Sequence, residues 1–119
     1  MTTTISTDEH IATLINVFTV EPDSQQQLVD LLDEATTQVI RHRPGFISAN
    51  IHASLDGTRV VNYTQWESRE AWHWAMLETP EGKAEHAACR ALCTPEVRNY
   101  QVIETFDFVP TEQGEGARS

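Results

Sequence analysis

The sequence predicts an α+β domain of β-α-β-β-α-β order: a ferredoxin-like, four-stranded antiparallel sheet with helices on one face. Three observations predict it. Strand-type and helix-type segments alternate in that order. Asp56-Gly57 joins two alternating apolar segments near the middle of the chain, as a type I′ hairpin turn would. Pro44-Gly45 and Thr79-Pro80 punctuate the helical stretches. The 119 residues, 39% of them hydrophobic, suit one packed domain.

Ile11 to Val20 is rich in Ile, Val, Phe and Thr and reads as the first strand. Pro22-Asp23 breaks it. Ser24 with Gln27 makes a capping box for a helix running to Arg43, whose stripe is Leu28, Leu31, Leu32, Ala35, Val39 and Ile40. Arg41, His42 and Arg43 suit the negative end of its dipole. Phe46 to Leu55 and Thr58 to Trp66 are the paired middle strands. Ser68 caps a second helix to Leu77. Thr79 as cap and Pro80 at the first helical position restart it to Cys93. Val97 to Phe108 supplies the last strand. The domain spans residues 11–108, with flexible termini at 1–10 and 109–119.

Val60 and Val61 must point to opposite faces, as must Leu14 with Phe18 against Ile15 with Val17. Both faces of the sheet are apolar, and the helices cover one. The other predicts a C₂ homodimer packed sheet to sheet.

Eight Lys+Arg against eighteen Asp+Glu leave a formal charge of −10, which disfavours nucleic-acid and anionic membrane partners. No apolar run approaches the ~18–20 residues of a membrane span, and Met1-Thr2-Thr3-Thr4-Ile5 lacks a basic and apolar leader. The expected location is the cytoplasm. Cys89 and Cys93 read as small buried side chains. No glycine-rich nucleotide loop occurs, and His10, His42, His52, His73 and His86 have no metal-site spacing. No cofactor and no metal are expected.

Two residues are out of place. Asn16 lies among Leu14, Ile15, Val17 and Phe18, and Asn62 lies between Val61 and Tyr63. A buried amide without partners costs about 1–3 kcal/mol. Each Asn either caps a bulge or bonds a neighbour, or else the two amides and the Trp66 indole face one apolar pocket between sheet and helices, the usual form of a ligand site. Trp72 is in phase with Ala75 and Met76 and faces inward. Trp74, about 200° around the helix, does not.

Pro44-Gly45-Phe46-Ile47-Ser48-Ala49, His52-Ala53-Ser54-Leu55-Asp56-Gly57-Thr58 and Val60-Val61-Asn62-Tyr63-Thr64-Gln65-Trp66-Glu67-Ser68 resemble the antibiotic biosynthesis monooxygenase family of small dimeric α/β-barrel proteins. The resemblance covers residues 11–108. The run from Asn62 to Ser68 is most similar to the branch that oxidises anthrone-type aromatic polyketides to quinones with O₂, without flavin, heme or metal. It implies catalytic roles for Asn62 and Trp66, with Asn16 on the first strand. Trp72 and His86 stand where members of this branch can have Tyr and Arg. The implied mechanism has Asn62 and Trp66 donate to the developing oxyanion or peroxide, and an inward-facing His86 take or return a proton. Leu14, Phe18, Trp72 and Met76 would hold the flat rings. The implied partners are the polyketide, O₂ and a second subunit. Two other activities suit the fold: a polyketide cyclase or aromatic-ligand-binding dimer without oxygen chemistry, and a heme-degrading monooxygenase using Asn16, Trp74 and His86.

Overall fold

The computed structural model describes residues 5–111. Its strands are β1 (Ala12–Val20), β2 (Phe46–Ala53), β3 (Arg59–Trp66) and β4 (Cys93–Tyr100). Its helices are α1 (Gln25–Gln38), α2 (Arg69–His73) and α3 (Pro80–Leu92). The sheet order is β2-β3-β1-β4, and every pair is antiparallel. This is the expected β-α-β-β-α-β arrangement with a divided second helix. The calls for loose termini at 1–4 and 112–119 lie outside the described residues.

Four expectations are corrected in detail. Ser24 makes no side-chain cap. A 3₁₀ turn, Pro22–Ser24, runs straight into α1, so Ser24 is already helical (φ −104°, ψ −4°) rather than extended as a cap requires. Helix α1 ends at Gln38, not Arg43. Val39 leaves helical geometry, a 3₁₀ turn covers Ile40–His42, and Arg43 is extended ahead of Pro44.

The middle hairpin is not a type I′ turn, which needs two positive φ values. In the loop only Gly57 has one, +82°. The Asp56 side chain shapes the loop instead. Its Oδ1 accepts hydrogen bonds from Thr58 Oγ1 (2.7 Å), Ser54 Oγ (2.8 Å) and the Thr58 amide (3.0 Å). Those bonds, Thr58's hydroxyl first, hold its carboxyl down at about 2.

Strand β4 starts at Cys93 and stops at Tyr100, where Val97 to Phe108 was expected. Its only partner is β1, and pairing runs from Val20↔Cys93 to Thr13↔Tyr100. Past Tyr100 only Ala12 of β1 is left. Residues 101–111 carry no secondary structure, and Ile103 and Phe106 are exposed.

The second helix forms as its caps dictate. Ser68 Oγ accepts from the Ala71 amide (3.0 Å), and Thr79 Oγ1 accepts from the Gly82 amide (3.1 Å). Between α2 and α3 the chain makes a π turn over Trp74–Glu78. Gly82 lies so close beneath it that a Cβ there would sit 2.6 Å from the Met76 carbonyl oxygen and 2.7 Å from Met76 Cα.

The core lies between helices and one sheet face, in two clusters. One gathers Phe18, Val20, Leu28, Leu32, Val60 and Cys89. The other gathers Ala12, Leu14, Ile40, Trp66 and Ala75. The opposite sheet face, with Ile15, Val17, Val61 and Tyr63 half-buried, belongs to neither.

Candidate active site

Strand alternation puts Leu14, Asn16 and Phe18 on the helix-facing side of β1, and Val60, Asn62, Thr64 and Trp66 on that side of β3. The register sets Asn16 opposite Asn62, Phe18 opposite Val60 and Leu14 opposite Thr64. Along this face the apolar order is interrupted by a cross-strand pair of amides, with Thr64 next to it. The interruption falls between the two core clusters, and a cavity opens there.

The cavity encloses about 620 Å³, counting the space at its mouth. Its floor is Asn16, Phe18, Asn62, Thr64 and Trp66 from the sheet. Trp72, Met76, Glu85, His86 and Cys89 come from α2, the π turn and α3. Leu32, Thr36 and Ile40 close it from the α1 side, and Val97 of β4 also lines it.

Of the residues singled out in the sequence, Asn16, Asn62, Trp66, His86, Phe18, Trp72 and Met76 line this one cavity. Leu14 does not. It is fully buried in the core cluster with Ile40, Trp66 and Ala75, because it lies one step along the face from the gap. Trp74 also lies outside the lining. It is 43% exposed, with the Arg43 guanidinium 5.5 Å over its ring, and Arg43 is anchored by Glu81 at 2.8 Å. The set Asn16, Trp74 and His86 is thus not gathered in one site.

The cavity is polar at particular points. The side-chain oxygens of Asn16 and Asn62 are buried and accept no hydrogen bond. A buried carboxamide oxygen left so costs about 1–3 kcal/mol unless a ligand supplies a donor. Trp66 is 1% exposed and held edge-on by Phe46, the ring centroids 5.3 Å apart at 89°. An indole fixed this way keeps its N–H direction without cost at the moment of reaction. The Cys89 thiol is pushed up to about 12, by burial first and then by the charge of Glu85, so it stays a neutral wall residue.

Glu85 is the carboxylate of the lining, and reading the sequence missed it. Burial raises its carboxyl from 4.5 to about 7. The available signal was its phase. Gly82 and Cys89 are the buried residues of α3, and Glu85 falls three after the one and four before the other, on the same stripe. Among the described residues no three His, Cys, Asp or Glu side chains gather as metal ligands. No helix is long and apolar enough to cross a membrane among them.

Residues 11–88 match the sequence pattern of the family described as antibiotic biosynthesis monooxygenase. The chain is 43% identical over 109 residues to the tetracenomycin-F1 monooxygenase of Streptomyces glaucescens, covering 92% of this chain and 96% of that one. Among solved structures it is similar to the monooxygenase from the gene ActVA-Orf6 of Streptomyces coelicolor, in complex with nanaomycin D. That match has 32% identity and a TM-score of 0.71, over 84% of this chain and 92% of the other. It is also similar to SnoaB, a cofactor-independent oxygenase from Streptomyces nogalater, at 25% identity and a TM-score of 0.70. There it covers 81% of this chain and 96% of the other.

Proposed function

The chain belongs to the antibiotic biosynthesis monooxygenase family and is a monooxygenase, and from that premise we propose that it oxidises a phenolic, anthrone-type polyketide to a quinone with O₂, without a cofactor. The observation that carries this reading is the facing pair Asn16 and Asn62, whose buried oxygens lack donors in an otherwise apolar cavity. Phenolic hydroxyls are the donors such oxygens need. The amide N–H groups of the same side chains can then donate to the phenolate that forms when the substrate loses its proton. Trp66 adds a rigid N–H donor. Oriented donors aimed at developing charge are each worth about 3–4 kcal/mol in such sites. Phe18, Trp72 and Met76 give flat rings an apolar bed. The electrons come from the substrate, whose carbanion is an extended phenolate able to reduce O₂. The relatives named for tetracenomycin F1 and bound to nanaomycin D support an aromatic polyketide as the substrate class.

We further propose a homodimer, supported by the apolar sheet face that neither core cluster uses, and a cytoplasmic site of action, where the free thiols of Cys89 and Cys93 stay reduced. The test is oxygen uptake by chelator-treated protein given dithranol, a simple anthrone, with the quinone followed by absorbance. Uptake well above the spontaneous rate is expected, with Asn62→Ala lowering kcat about 10²–10³-fold. A rate equal to the blank would overturn the proposed oxidation of anthrone-type rings.

A further inference from the structure

We infer that Glu85 is the general base of the reaction, taking the proton from the substrate's acidic ring carbon inside the cavity it shares with Asn16, Asn62 and Trp66. The inference rests on the reading just given and extends it to the steps that need a proton acceptor.

The argument starts from elimination. Asn16, Asn62, Thr36 and Thr64 do not take up protons near neutral pH, and the Trp66 indole only donates. Of the remaining cavity residues, Glu85, His86 and Cys89 titrate. Cys89 is held neutral, its thiol pushed up to about 12. Between Glu85 and His86 the helix decides. Glu85 lies on the stripe of Gly82 and Cys89 that α3 turns inward. His86 is about 100° round from it, on the flank of that stripe. Glu85 makes no hydrogen bond or ion pair with another described side chain, so its oxygens are open to a ligand.

The surroundings explain its basicity. The groups that neighbouring elements bring to the cavity wall are Leu32 and Thr36 from α1, Met76 from the π turn, Asn16 and Asn62 from the sheet, and Val97 from β4. None carries a charge. On α3 itself the titratable neighbours are His86 and Cys89, with Cys93 following at the start of β4. Burial among such groups raises Glu85 to about 7, near the pH at which a general base is most effective.

The balance is as follows. The Glu85 carboxylate removes one proton from the CH₂ between the rings, and the electron pair moves onto the phenolate system. The carbanion attacks O₂, forming a C–O bond and a peroxide anion, which takes the proton back from Glu85. The restored carboxylate removes the second C–H proton. The C=O bond forms, the O–O bond breaks, and hydroxide leaves with that proton as water. CH₂ and O₂ become C=O and H₂O, the carbon losing four electrons and the oxygen gaining four.

Proton removal is read without O₂, by deuterium wash-in at the dithranol CH₂ under nitrogen in D₂O, followed by NMR. The protein should accelerate exchange with a rate that rises through pH ~7 to a plateau. Glu85→Gln should lower it about 10²-fold or more and flatten the profile, with Glu85→Asp recovering part. Folding of the Gln variant is checked by melting. Unfolded, Glu85 ionises near 4.5 and folded near 7. Between those values the unfolded chain has released a proton the folded chain still holds, so this residue lowers stability as pH rises from 4.5 to 7. Glu85→Gln should therefore melt above the parent at pH 8 and level with it at pH 4. Exchange equal in parent and Glu85→Gln, or lost in His86→Gln but kept in Glu85→Gln, would overturn the inference whatever oxygen uptake does. Exchange that depends on Glu85 without any oxygen uptake would uphold the base and sink the oxygenase reading instead.

Discussion

The residues proposed to matter most for function are those that serve the fold worst. Asn16 and Asn62 face each other where their strand neighbours Leu14, Phe18 and Val60 are buried and apolar. Their oxygens are buried and accept no hydrogen bond. Replacing Asn16 with Leu, which has the same branched heavy-atom shape and fills the cavity edge with methyl groups, should raise stability by about 1 kcal/mol, or ~4 °C in Tm, while oxygen uptake falls. A lowered Tm in a thermal melt would mean the amide is already satisfied. Both Asn residues were legible in the sequence, because an amide in a strand of Leu, Val and Phe contradicts the local pattern. Glu85 was not. Carboxylates crowd α3 and its neighbours, and a charged helical residue reads as solvated unless the inward stripe is already known. Leu14 erred the other way. Alternation gave its face but not its position along the face, and the cavity begins one pair further on.

At the scale of elements, the cavity exists because the second helix is broken. Ser68 and Thr79 each cap a separate helix, and the π turn between them swings Trp72 and Met76 over the gap between the core clusters. The break was legible in Thr79-Pro80. The π turn was not, since it depends on how closely α3 approaches. Gly82 sets that approach, because a Cβ would strike the Met76 backbone. Gly82→Ala would gain about 1 kcal/mol of helix propensity on an open helix. Here it should instead cost about 1–3 kcal/mol in denaturant melts and weaken substrate binding, through displacement of the Met76 wall. A stabilised Gly82→Ala would show that the contact relaxes freely. The end of β4 was likewise illegible. A strand stops where its partner stops, and the apolar residues after Tyr100 look no different from those before it.

For the whole molecule, the sheet has one used face and one unused. Val17 and Val61 are direct cross-strand partners on the unused face, as are Ile15 and Tyr63. Light scattering should give twice the chain mass of 13.4 kDa. Val17→Lys, placing a charge at the centre of that face, should give the monomer mass with the fold retained by circular dichroism. A parent protein at the single-chain mass would refute the dimer. The four-strand order was legible because each segment carries its own period and its own stop signals. The proposed second subunit has only an indirect sign in the sequence, the apolar residues Ile15, Val17 and Val61 on the face away from the helices.

The register of β1 and β3 has a consequence for how such a protein diversifies. Asn16 and Asn62 are locked together by pairing, and Trp66 is locked four residues on, opposite Ala12. One residue inserted or lost in β3 ahead of Asn62 would turn Asn62, Thr64 and Trp66 away and bring Val61, Tyr63 and Gln65 to the cavity. The helical wall has no such ladder, so Trp72, Met76 and His86 can change singly. In descendants of this chain the oxidation would be inherited with the sheet, while the shape of the ring system it accepts would drift with the helices.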